Sequence, residues 1–235
     1  MSSVAMTGGM LGSRTAEILP GADRIASSKR LACARCLRAQ SACICHWITP
    51  TAHVAEVLIL QHPLEVAQAK GSARLLHLSL PHSRLVTGEV FAHLALQALL
   101  TAPLYPDAAA QPPRQAVLLY PDLLPAQAAG RPTALAHVGL RDPAQLRLIV
   151  IDGTWRKTRK MLYLNPLLQQ LPRLVLRDLP ASRYLVRKAH QPDQLSTLEA
   201  TCAALMQLEG KGEKFLPLLR AFEGFVAQQW RYQNP

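Results

Sequence analysis

The sequence predicts an α/β fold in which a mainly parallel sheet is flanked by helices, with a small metal-binding module ahead of it. Three observations carry this. Short aliphatic runs, too brief for helices and rich in strand formers, recur at 54–61, 83–87, 116–120, 148–151 and 173–177. Several are followed by stretches with helical spacing, the pattern of strand–helix–strand units. The third observation is a cluster of four cysteines between positions 33 and 45.

The chain has 235 residues, enough for one sizeable core with a small appended module. It is 49% hydrophobic and 17% charged, a globular rather than a disordered composition. Lys and Arg number 26 against 15 Asp and Glu, a formal net charge of +11. That excess suggests an anionic partner, with nucleic acid leading; a generally basic protein would show the same balance. Residues 1–30 read as a flexible tail, since they hold no continuous apolar core. No stretch approaches the ~20 apolar residues of a spanning helix, so the expectation is a soluble, cytoplasmic protein with no membrane partner. There is no internal repeat, P-loop or G-x-G-x-x-G motif.

Cys33, Cys36, Cys43 and Cys45 form C-x-x-C and C-x-C pairs. Four thiolates suit a closed, tetrahedral, structural zinc site, with the second pair arriving from a returning strand. An Fe–S cluster is the other occupant, and His46 is either a substitute ligand or an incidental neighbour. Arg35 and Arg38 lie between the cysteines and either face RNA or are ordinary surface.

Val54 to Gln61 reads as a buried strand ended by His62-Pro63, and a helix is expected from 64 to 78. His62 is either a substrate contact or a hydrogen-bonded structural histidine. Lys70, Arg74 and His77 share a basic face of that helix, suited to phosphates. Ser83 to Thr87 is a second strand. A helix over 89–100 follows, with Val90, Leu94, Gln97 and Leu100 on one stripe. Residues 101–115 read as a loop, 116–120 as a third strand, and 133–138 as a surface helix.

Arg147 to Pro166 organises the chain. Leu148–Ile151 is a strand, Asp152-Gly153 a turn pair, Thr154 a helix N-cap, and Pro166 the far limit of the helix. A strand, a tight turn and a helix N-terminus form the usual ligand position of open α/β sheets. Asp152 stands there beside Trp155 and the cations Arg156, Lys157, Arg159 and Lys160. Each also has a plainer reading: an Asx-turn, a core indole, a solvated helix face. After the strand at 173–177, Ser182 to Lys188 offers Arg183, Tyr184, Arg187 and Lys188, whose guanidinium forks suit a carboxylate or a phosphate. Ser196 and Glu199 form a capping box for a helix that ends at Gly210. In that helix Leu198, Cys202, Leu205 and Leu208 make an apolar stripe, so Cys202 is core. Leu219, Phe222, Val226 and Trp230 are the stripe of a last helix.

Asp152-Gly153-Thr154-Trp155 resembles the D-x-T-W signature of the DTW-domain family. Three more blocks resemble the same family in order and spacing: Cys33-x-x-Cys36-x6-Cys43-x-Cys45, Ser182-Arg183-Tyr184-x-x-Arg187-Lys188 and Leu195-Ser196-Thr197-x-Glu199-Ala200. The resemblance implies a SPOUT-like fold with a C-terminal trefoil knot. It also implies a tRNA-uridine aminocarboxypropyltransferase, which moves the 3-amino-3-carboxypropyl group of S-adenosylmethionine to a uridine ring nitrogen. On that reading Asp152 is the catalytic base or orients the uracil. Leu119, Tyr120, Gly153, Thr154, Trp155, Leu176, Arg183, Tyr184, Ser196, Thr197 and Glu199 bind the cofactor. Arg74, Arg156, Lys157, Arg159, Lys160, Arg187 and Lys188 contact tRNA. The chain then divides into a tail (1–30), a zinc module (31–50) and a catalytic domain (51–235), as monomer or homodimer. A SPOUT-type RNA methyltransferase and a non-catalytic RNA-binding zinc protein are the alternatives.

Overall fold

A computed structural model describes residues 31–105, 112–121, 142–176 and 195–233. Five strands form one sheet: β1 (Glu56–Gln61), β2 (Ser83–Thr87), β3 (Gln115–Leu119), β4 (Leu146–Asp152) and β5 (Arg173–Leu174). Their order is β2-β1-β4-β3-β5, and every pairing is parallel. β1 and β4 are buried at every position, which explains why both read as continuous apolar runs rather than alternating ones. Six helices are described: α1 (Ala73–Ser79), α2 (His93–Thr101), α3 (Trp155–Leu164), α4 (Pro166–Gln169), α5 (Thr197–Glu209) and α6 (Leu216–Gln233).

Two cores sandwich the sheet. One gathers Val57, Ile59, Leu148 and Val150 against α1, α5, α6 and the cysteine-rich segment. The other gathers Leu58, Leu60, Ile149 and Ile151 against α2, α3 and α4. The helix after β1 therefore lies on one face and the helix after β4 on the other. β1 and β4 are adjacent, so a crevice opens between their C-terminal ends, where Gln61 pairs in register with Asp152. At the opposite end Glu56 pairs with Arg147. The buried Arg147 guanidinium donates to Glu56 Oε2 at 2.8 and 2.7 Å and to Leu99 O at 2.7 Å. That pair ties α2 to the sheet and is far from the crevice by topology.

Several expected elements differ. The helix expected over 64–78 is a 3-10 turn at Pro63–Glu65, then open turns, then α1 from Ala73. Arg38 accounts for the break: its guanidinium takes the carbonyls of Gln68, Ala69 and Gly71, which a helix would need for itself. The helix expected from 89 starts at His93 and buries Leu96 and Leu100, leaving Leu94 78% exposed. Asn165 holds the lead-in outside the helix, accepting from Phe91 N and donating to Glu89 O. In α6 the buried stripe is Leu218, Phe222 and Phe225, one residue out of phase with expectation at two of its positions, and Trp230 is exposed. α5 matches: Leu198, Cys202 and Leu205 are fully buried, burial pushes the Cys202 thiol up to about 12, and Gly210 closes the helix at φ 63°. Of the strand expected over 173–177, Arg173–Leu174 is observed. Arg177 and the helix expected over 133–138 lie outside the described residues. No helix among the described residues is long and apolar enough to cross a membrane.

Candidate functional site

Parallel strands put all their C-terminal ends on one edge, and Asp152 and most of the expected cofactor-contacting residues lie there. Leu119 and Tyr120 end β3, Asp152 ends β4, Gly153 and Thr154 form its turn, Trp155 starts α3, and Leu176 lies just past β5. Asp152 closes the arrangement. Its Oδ2 accepts from Gln61 Nε2 at 2.9 Å and its Oδ1 from Thr197 Oγ1 at 2.6 Å. Thr197 is the first residue of α5, so the carboxylate draws that helix N-terminus to the end of β4. Asp152 is 6% exposed. Burial raises its carboxyl above the ordinary 3.8, while the two hydrogen bonds and the Lys157 ammonium act against the rise and Glu65 adds to it.

Gly153 has a local reason. A Cβ there would lie 3.2 Å from Lys157 Cβ and 3.6 Å from His62 Cβ, so the turn runs tight between both walls of the crevice. Thr154 takes the N-cap position, but its side chain makes no capping bond; its carbonyl accepts from Thr158 N. Trp155 is 45% exposed, not core, and stands edge-on to Tyr120 at 5.7 Å. The Arg173 guanidinium lies 5.2 Å from the Tyr120 ring centroid. Ser196 and Glu199 spend their side chains on each other's backbone, the full capping box.

The basic quartet of α3 is divided. Lys157 pairs with Glu65 at 2.7 Å and the exposed Lys160 with Glu89 at 3.0 Å, whereas Arg156 and Arg159 are exposed with no acid paired to them among the described contacts. Lys160 and His62 together hold the Glu89 carboxyl below the usual carboxylate range. His62 accepts from Leu64 N through Nδ1, which places its proton on Nε2, the atom 3.0 Å from Glu89 Oε1. The basic face expected of Lys70, Arg74 and His77 is dispersed. Lys70 precedes α1, Arg74 donates to Arg35 O, and His77 Nδ1 meets Ser83 Oγ. Arg183, Tyr184, Arg187 and Lys188 lie outside the described residues.

The four cysteine sulfurs of Cys33, Cys36, Cys43 and Cys45 all lie within 4.8 Å of one another, and none is in a disulfide. Cys33 and Cys45 approach to 3.5 Å, Cys36 and Cys43 to 3.8 Å. Tetrahedral sulfurs at ~2.3 Å from a zinc ion would stand ~3.8 Å apart, so the donor set fits such an ion. The first pair sits on a tight turn, with Leu37 N donating to Cys33 O and Leu37 at φ 59°. The second pair comes from two 3-10 turns, not from the expected strand. His46 is outside the set and lies tilted against Trp47, ring centroids 4.6 Å apart. Arg38 turns inward rather than toward a ligand, leaving Arg35 exposed.

Sequence reasoning missed Gln61, Glu65, Glu89, Asn165 and Arg173. The available signal was position: Gln61 is the last residue of an apolar strand, where a parallel sheet places ligand-facing groups. The acids gave none, because their partners are 92 and 71 residues away.

Among known proteins, tRNA-uridine aminocarboxypropyltransferase 2 of Drosophila melanogaster is 29% identical over 203 residues, 82% of this chain and 72% of the fly protein. The proteins of that name from Mus musculus and Macaca fascicularis are each 27% identical over 211 residues, 88% of this chain and 66% of theirs. No solved structure matches. A family model, the DTW domain, matches residues 30–230, and the chain belongs to the DTW-domain family.

Proposed function

We propose that the protein transfers the 3-amino-3-carboxypropyl group of S-adenosylmethionine to a uridine ring nitrogen of tRNA, with release of 5′-methylthioadenosine. The observation that carries this reading is Asp152, a buried carboxylate of raised proton affinity at the crevice between β1 and β4. The names of the three relatives support it by similarity.

In this reaction the uracil imide nitrogen bonds to the sulfonium's γ-carbon. The carbon–sulfur bond breaks, its electron pair stays on sulfur, and the imide proton leaves to a base. Asp152 is the group positioned to take that proton, and burial makes it a stronger base than an ordinary aspartate. The sulfonium supplies a good leaving group, so alignment of donor and acceptor does much of the work. The pocket for the donor is assigned to Leu119–Tyr120, Gly153–Trp155, Leu176 and the α5 N-terminus at Ser196, Thr197 and Glu199. There the capping box shapes the helix end rather than offering free side chains. Arg183 and Tyr184 stay part of that assignment, with Arg183 and Arg187 suited to a carboxylate or a phosphate. Trp155, half exposed beside Tyr120, offers a stacking surface for a base. Arg74, Arg156, Lys157, Arg159, Lys160, Arg187 and Lys188 are assigned to tRNA, with Arg156, Arg159 and Lys160 exposed among those described. Zinc is assigned to the four cysteines as a structural ion. A SPOUT-like architecture with a C-terminal knot belongs to the same proposal, supported by the all-parallel sheet and the return of α5 to the end of β4.

Single-turnover transfer to unmodified tRNA tests this. Asp152→Asn should fold and bind S-adenosylmethionine yet lose a factor of ~10² to 10⁴ in transfer. Near-normal transfer in that variant refutes the catalytic role, and S-adenosylhomocysteine as product would mean methyl transfer instead.

A further inference from the structure

We infer that Gln61 and Thr197 are positioning residues for Asp152, fixing the plane of its carboxylate from two different elements. The inference rests on the reading of Asp152 as the base.

An aspartate at a strand end turns freely about its outer torsion, and a base that turns freely is aimed nowhere. Here each oxygen is tied by a separate donor, at 2.9 Å from β1 and 2.6 Å from α5, so the carboxylate plane is set. Each oxygen has two lone-pair directions, so each keeps one for an incoming N–H. Both donors are themselves held. Gln61 is 4% exposed and in register with Asp152, and its carbonyl accepts from Gly88 N. Thr197 opens a helix whose capping box fixes its terminus, and its carbonyl accepts from Thr201 Oγ1 at 2.7 Å. Thr197 has one hydroxyl proton and gives it to Asp152 rather than to its own backbone. Hydrogen bonds to the charged form oppose the effect of burial, so the pair limits how strongly Asp152 holds a proton. Too low a proton affinity makes a poor base, and too high a one leaves the group protonated near neutrality.

The test removes each donor with little change of shape, by Thr197→Val and by Gln61→Met, with Thr197→Ser as the conservative variant. Three readouts are taken: the carboxyl carbon-13 titration of Asp152, assigned with Asp152→Asn; the pH profile of single-turnover transfer; and S-adenosylmethionine affinity. The expected result is an Asp152 titration moved to higher pH in Thr197→Val and in Gln61→Met, and close to wild type in Thr197→Ser. The acid limb of transfer should move with it, with a loss of about tenfold or more near pH 7, the size of one hydrogen bond to a charged group. An unmoved titration in both variants overturns the inference, whatever happens to turnover. If the titration moves but Asp152→Asn still transfers, the positioning stands and the catalytic reading falls. If Asp152→Asn loses transfer while both donor variants leave the titration and pH profile unmoved, the positioning falls alone.

Discussion

Replacing Arg38 with methionine should loosen the wall of the crevice from outside the site. Arg38 belongs to the cysteine-rich segment, and its guanidinium donates to Ala69 O at 2.6 Å and Gly71 O at 2.9 Å, with Gln68 O at 3.4 Å. It also lies 5.1 Å from the centroid of the Phe225 ring. Those carbonyls belong to the segment that carries His62, bound to Glu89, and Glu65, bound to Lys157. Ser72 ends the segment and accepts from Leu198 N at the start of α5. Methionine keeps the apolar stem and removes the donors. A hydrogen bond from a charged group is worth ~1.5 to 3 kcal/mol, but Gln68 and Ala69 are exposed, so water recovers part of it. About 1 kcal/mol for each of the two shorter bonds, and ~1 kcal/mol for the ring contact, gives ~3 kcal/mol. At ~2–4 °C per kcal/mol for a chain of this size, the melting temperature should fall by ~6–12 °C. Hydrogen exchange should rise over residues 62–72 before it rises in β1. A melting temperature within ~2 °C of wild type, with exchange over 62–72 unchanged, would show that Arg38 does not brace the crevice.

Cys36→Ser should reduce bound zinc and destabilise the cysteine-rich segment, since structural zinc contributes ~10 kcal/mol or more in small modules; full metal occupancy in the variant, or none in wild type, counts against the site. Charge reversal at Arg156 and Arg159 should weaken tRNA binding and flatten its salt dependence by ~0.7 to 0.9 in log K against log salt per lost contact, and unchanged affinity and slope would make them a solvated face. The same change at Lys157 is a poorer probe, because it also breaks the ion pair with Glu65. Burial lowers His53 below its ordinary 6.5: its Nδ1 meets Ala55 O, its Nε2 accepts from His82 N, and Glu209 and Lys214 lie nearby. The unfolded chain therefore binds a proton there before the folded one does, so this contribution is present above about pH 6.5 and is lost as pH falls. Urea unfolding of wild type and His53→Phe should show a shallower loss between pH 7 and about 5 in the variant; equal slopes would rule the contribution out.

The sequence by itself determined where the strands lie and which chemical groups the candidate sites carry. Val57–Leu60 and Leu148–Ile151 are apolar throughout because both faces of a parallel sheet are covered, and that leaves a mark on every residue. The cysteine cluster and the Ser196–Glu199 capping box were legible because their partners lie close in the chain, as was the strand-turn-helix at Asp152. Helix limits around 63–72 and 89–93 were not, because distant groups, Arg38 and Asn165, take their backbone partners and outweigh local propensity. Only the tertiary structure decided what surrounds Asp152. Gln61 stands 91 residues before it and Thr197 45 residues after it, and nothing in either one's neighbourhood signals the meeting. Strand order brings the first and helix packing the second: β4 inserts beside β1, and α5 docks its N-terminus at the strand end. The same packing pairs Lys157 with Glu65 and Lys160 with Glu89, while Arg156, Arg159 and Lys160 all stay exposed.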